Sequence, residues 1–127
     1  GCVINGVKFW GSPCTPRFFD WAFNYDRGED IRKFWKAIPK DTDVLITHGP
    51  PAGIGDVTLP RYGEPAKNVG CQDLLIAVRE VMPKVHVFGH IHSGYGDHGI
   101  SLGTRFVNAS ICTEQYRPIN EPIVVDL

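Results

Sequence analysis

The feature that most constrains this chain is a pair of short apolar runs, each preceded by an amphipathic stretch and each broken by histidine and glycine. The first run, Asp43 to Thr47, ends in His48-Gly49-Pro50-Pro51; the second, Lys84 to Gly89, ends in His90-Ile91-His92. Ahead of them, Ile31, Phe34, Trp35 and Ile38 recur at helical spacing from Glu29 to Ile38, with Pro39 ending the stretch, and Leu74, Leu75, Val78 and Val81 do so from Gly70 to Val81. Two helix-then-strand units predict an α/β layer whose buried strands deliver residues at their C-terminal ends, where open α/β sheets place their sites.

The flanking segments are consistent with that layer. Asn5-Gly6 stands between Cys2-Val3-Ile4 and Val7-Lys8-Phe9-Trp10 and predicts a β-hairpin with a type I′ turn. Residues 11–28, rich in Pro and aromatics, predict an irregular loop packed over the core, and residues 52–68 a long loop of the kind that is usually functional. Three further strands are predicted over 99–102, 105–108 and 123–126. A chain of 127 residues with no internal linker predicts one domain over 1–127. The net charge of −1 offers no electrostatic footprint for a nucleic-acid polymer, and no apolar run approaches the ~20 residues of a membrane span. Four scattered cysteines without a Cys-x-x-Cys pair predict a reducing, cytoplasmic setting. The chain opens Gly1-Cys2-Val3 with neither Met nor a signal peptide, which leads us to expect part of a longer protein.

His48, at the end of a buried strand and followed by a stiff turn, reads either as a metal ligand or as a hydrogen-bonded structural histidine. Separated by one residue, His90 and His92 project to one side if that segment is extended. His86, inside the second strand, reads as a buried structural histidine, and His98 as a turn residue.

Taken in order, Thr47-His48-Gly49-Pro50-Pro51, Val69-Gly70-Cys71, Gly89-His90-Ile91-His92, Gly94-Tyr95-Gly96 and Val107-Asn108-Ala109-Ser110 resemble the second half of calcineurin-like metallophosphoesterases. They are most similar to the metallophosphoesterase-domain-containing branch that resembles cyclic-nucleotide phosphodiesterases. The resemblance implies the C-terminal half of a four-layer αββα sandwich, with a mixed sheet flanked by helices. It implies hydrolysis of a phosphoester, most simply a phosphodiester, by a hydroxide held on two divalent transition metals (Mn, Fe or Zn). Carried over by motif, His48 and His90 would bind one metal and His92 the other, with Thr47, Gly49 and Asn108 orienting them. Members also carry Asp-x-His, Gly-Asp-x-x-Asp and Gly-Asn-His motifs ahead of this region, and none is present here. No catalytic residue is therefore assigned to this chain, the proton-donating histidine being expected in the other half. The expected partner is that N-terminal half or a second copy, and Arg61 is the candidate contact for a small phosphoester substrate. The alternative is a non-catalytic metal-binding or interaction module built on the same fold.

Overall fold

A computed structural model describes residues 1–61 and 63–127. The chain opens with the predicted hairpin, β1 (Cys2–Ile4) and β2 (Val7–Ser12), turned by Asn5 and Gly6 at φ 49° and 82°. Both values lie in the left-handed region that a type I′ turn demands at its two central positions. Helix α1 (Glu29–Trp35) leads to β5 (Val44–Thr47), and helix α2 (Gln72–Val81) leads to β6 (Val85–Phe88). A second hairpin, β7 (Gly96–Ser101) and β8 (Thr104–Asn108), follows. The remaining two strands, β3 (Thr15–Pro16) and β4 (Asn24–Tyr25), form a separate two-residue parallel ladder.

The main sheet has the order β1-β2-β5-β6-β8-β7. Its four central strands run parallel, and an antiparallel hairpin closes each edge. Two helix-containing crossovers account for the parallel centre, since parallel neighbours need a connection of a dozen or more residues. Both helices lie on one face. Their buried stripe (Ile31, Trp35, Leu74, Ala77 and Val78) packs against Leu45, Phe88 and Phe106 from the sheet. Asp73, at the start of α2, ties the helices together by pairing with Arg32 Nε at 2.8 Å and accepting the Gly28 amide at 3.1 Å. The result is a mixed α/β arrangement of one helix layer and one sheet layer.

Several expectations need correction. Residues 123–126 form no strand, and Val124 is 86% exposed. Helix α1 stops at Trp35, three residues short, and the amides of Ala37 and Ile38 donate to the Phe34 and Trp35 carbonyls in a tighter closing turn. The segment 11–28 carries the β3–β4 ladder, and its aromatics do not pack over the core. Phe18, Phe19, Trp21 and Phe23 are exposed, the first three in contact with one another, while Tyr25 packs against Phe34. His98 belongs to β7 rather than to a turn, with its Nε2 2.8 Å from the Gly94 carbonyl. Among the described residues no helix is long and apolar enough to cross a membrane.

Candidate metal centre

β5 and β6 are parallel neighbours in register, Ile46 opposite Val87, so the segments leaving their C-terminal ends emerge side by side. The Gly89 amide donates to the His48 carbonyl at 3.0 Å and fixes that juxtaposition. His48 Nε2 and His90 Nδ1 then stand 3.1 Å apart, ring centroids 4.6 Å apart. Burial lowers the pKa of His48, and burial followed by the neighbouring His48 and His92 charges lowers that of His90 to about 4. Both rings are therefore neutral at physiological pH and carry the lone pairs that a transition metal requires.

The path to His92 differs from the extended one read from the sequence. His90 has φ 67°, and the Ile91 amide donates to the Gly89 carbonyl at 2.7 Å, closing a three-residue γ-type turn around it. His92 then opens a 3₁₀ turn, His92–Gly94. A β-like backbone would have aimed both imidazoles to one side; the chain instead reverses at His90. The His92 Nδ1–H donates to the Thr113 carbonyl at 2.9 Å, which leaves Nε2 as the nitrogen with a lone pair, and its ring meets Tyr116 edge-on at 5.2 Å.

The surrounding groups hold backbone rather than rings. Thr47 Oγ1 donates to the Gly49 carbonyl at 2.8 Å and lies 2.9 Å from Nε2 of the fully buried His86, whose N–H it accepts. Asn108 is buried; its Nδ2 donates to the Ile91 carbonyl at 2.8 Å and its Oδ1 accepts the Ser110 amide at 3.0 Å. A Cβ on Gly49 would lie 3.3 Å from Thr15 Oγ1, so glycine there admits the β3 segment to the site. Arg61 is engaged with Glu114, its Nη2 donating to the carbonyl at 2.7 Å and to the carboxylate at 2.8 Å. That contact attaches the 52–68 loop, whose residue 62 lies outside the described residues, to the segment holding His92.

Sequence reasoning missed Asp56. This carboxylate is 1% exposed and accepts the Gly53 and Gly70 amides at 2.9 and 3.1 Å and Asn68 Nδ2 at 2.9 Å. By closing the 52–70 loop it sets Gly55 and Val57 against the 3₁₀ turn, where Ser93 Oγ donates to the Val57 carbonyl at 2.6 Å. The Gly-x-Gly-Asp spelling at 53–56 was the available signal, because aspartate in a glycine-rich turn commonly caps local backbone amides.

The donor set fits part of a metal site. Two nitrogens at 2.0–2.1 Å from one tetrahedral ion stand roughly 3.3 Å apart, close to the 3.1 Å between His48 and His90. Among the described residues no group of three or more His, Cys, Asp or Glu side chains is gathered as a metal-holding cluster.

No protein-family model matches the chain. Human metallophosphoesterase domain-containing protein 1 is 47% identical over 126 residues, covering 98% of this chain and 37% of that protein. UPF0046 protein T07D4.2 of Caenorhabditis elegans is 41% identical over 125 residues, covering 98% of this chain and 30% of that protein. A solved crystal structure shares the fold with a TM-score of 0.52 and 25% identity, over 86% of this chain and 43% of the solved one. Over nearly its whole length, then, the chain is a metallophosphoesterase-like segment, spanning about a third of the length of these curated relatives.

Proposed function

We propose that this chain supplies the histidine side of a metal-dependent phosphoester hydrolase site, with a phosphodiester as the preferred substrate class. The observation that carries the reading is the His48–His90 pair: two neutral imidazoles, nitrogen to nitrogen at 3.1 Å, at the ends of adjacent parallel strands. In this reading His48 and His90 hold one divalent ion (Mn, Fe or Zn) and His92 offers Nε2 to a second. Such ions, once bound, supply Lewis acidity to the phosphoryl oxygens and a water acidic enough to ionise near neutrality. Thr47 and Asn108 keep the Gly49 and Ile91 peptides in place, and Arg61 reaches an anionic substrate only by leaving Glu114.

The carboxylate ligands and the proton donor are assigned to a partner, either the N-terminal half of the same domain or a second copy. The sheet face turned away from the helices supports this. It carries Phe9, Val44, Ile46, Val85, Val87 and Val107; Val44, Val85 and Val107 are buried, while Ile46 is 45% exposed and Phe9 and Val87 are half-buried. Four free cysteines favour a cytoplasmic setting for this small-phosphoester chemistry.

A second reading, a one-metal module that hydrolyses nothing, rests on the two ligands that the His48–His90 pair offers to a single ion. Two measurements separate them: calorimetric titration of the chain with Zn or Mn, and cleavage of bis(p-nitrophenyl) phosphate. Tight metal binding that His90→Ala abolishes, together with metal-dependent cleavage once a partner carrying the missing motifs is added, is the expected result. Metal binding with no cleavage by that reconstituted pair would leave the module reading standing. No metal binding by the chain or by the pair sinks both.

A further inference from the structure

The 52–68 loop folds back on itself as a narrow antiparallel ladder. Val57 pairs with Asn68, the Thr58 amide donates to the Lys67 carbonyl at 2.9 Å, and Arg61 and Glu64 exchange backbone bonds of 3.1 and 2.8 Å. Asp56 closes the base of this ladder, and Arg61 stands near its tip. The Arg61 side chain reaches a second turn, over 113–117. There the Thr113 amide donates to the Arg117 carbonyl and the Tyr116 amide to the Thr113 carbonyl, both at 2.9 Å, while Thr113 Oγ1 accepts the Gln115 and Arg117 amides at 3.3 Å. Among the described residues, the hydrogen bonds that tie this turn to the rest of the chain come from two side chains, His92 through Nδ1 and Arg61 through Nη2.

The two contacts land on successive residues. His92 donates to the Thr113 carbonyl, and Arg61 donates to both the carbonyl and the carboxylate of Glu114, whose side chain is only 19% exposed. Consecutive Cα atoms lie about 3.8 Å apart, so the guanidinium holds the peptide next to the one that fixes the imidazole. On the other side of His92, Ser93 Oγ donates to the Val57 carbonyl at 2.6 Å, near the base of the same ladder. These contacts close a ring that runs from the ladder through Ser93, His92, Thr113 and Glu114 back to Arg61. An exposed ion pair by itself contributes little. One cationic nitrogen that grips a carbonyl and a sheltered carboxylate together fixes direction as well as distance. A carbonyl that accepts the far N–H of a ligating histidine sets the tautomer and the orientation of its ring.

We infer that Arg61 is a positioning residue for His92: through Glu114 it holds in place the Thr113 carbonyl that keeps the proton on Nδ1 and the lone pair on Nε2. The inference rests on the reading of His92 as a metal ligand, but its test needs no metal. The tautomer of His92 is measured by long-range proton–nitrogen NMR of the metal-free 127-residue chain, at a pH above the range in which histidine titrates. The native ring is expected to carry its proton on Nδ1. Arg61→Gln should move it toward the Nε2–H form, the ratio falling about fivefold, the loss of one ordinary hydrogen bond. Arg61→Lys keeps a charged donor and should restore most of the native ratio. Glu114→Ala cuts the same contact from its other end, so it should give the same shift, and the double variant Arg61→Gln/Glu114→Ala should do no more than the larger single one. An unchanged ratio in Arg61→Gln, changes confined to the amides of 57–68, or additive effects in the double variant would each overturn the proposal. So would loss of inorganic phosphate binding in Arg61→Gln with the ratio unchanged, which would make Arg61 a substrate contact instead. A tautomer that responds as expected in a chain whose His48 and His90 ring nitrogens ignore added zinc would sink the metal reading and leave the Arg61–His92 coupling standing.

Discussion

His86 is the most completely enclosed titratable side chain near the candidate centre, edge-on to both Phe88 and Phe106. Thr47 gives its own proton to the Gly49 carbonyl, so His86 is the donor through Nε2–H, and its Nδ1 is left without a partner. Burial lowers its pKa from 6.5 to about 3. Because the unfolded chain takes up this proton near pH 6.5 and the folded chain does not until about pH 3, the neutral ring's contribution is complete above 6.5 and is lost as pH falls toward 3. Urea unfolding across pH should show stability falling by about 1.4 kcal/mol per pH unit from this residue. His86→Gln should flatten that acid limb by one proton; an unchanged slope would refute the assignment. Asn108 acts through geometry instead. Asn108→Ala removes the donor to Ile91 and the acceptor of Ser110, and should cost about 1–3 kcal/mol with displaced Ile91 and His92 amide resonances.

The 3₁₀ turn bearing His92 is seated on the long loop with no spare room. A Cβ on Gly94 would lie 2.2 Å from the Gly55 carbonyl oxygen and 2.8 Å from its carbon, both backbone. Gly94→Ala should therefore push the turn off the loop, lowering stability by more than about 2 kcal/mol and weakening any metal affinity that depends on His92. Gly99→Ala is the control: φ is 75° but the space is open, so only the backbone penalty of about 1 kcal/mol is expected. Much at this scale was legible in the sequence. Asn5-Gly6 dictated its hairpin, and the spacing of Ile31 with Trp35 and of Leu74 with Val78 identified the helix faces. What could not be read was conformation fixed by distant partners. The positive φ of His90 depends on packing between Gly89, His48 and Asn108, and Asp56 becomes a loop anchor only because Asn68 and Gly70 return to it. The strand expected at 123–126 is absent as well, since alternation along a sequence does not reveal whether a partner strand lies beside it.

At the scale of the molecule, the central strands are written for a sheet covered on both sides. Parallel strands of this kind are near-continuously apolar because α/β folds bury both faces, whereas here α1 and α2 cover one. On the other, Val44, Val85 and Val107 are buried and the exposed Ile46 marks the uncovered part. Sedimentation of the chain alone should show concentration-dependent association, and Ile46→Lys should raise the monomer fraction without lowering helix content. A native chain that remains monomeric at about millimolar concentration would remove this face as an interface. The two sheet borders steer how such contact is made. β1 offers three residues, and β7 loses regular pairing between Asp97 and Ile100, where Gly99 turns at φ 75°. Short or irregular borders are poor templates for adding a strand. Growth of the sheet from chain to chain is thereby discouraged, and association is directed toward discrete complexes joined face to face rather than toward fibrils.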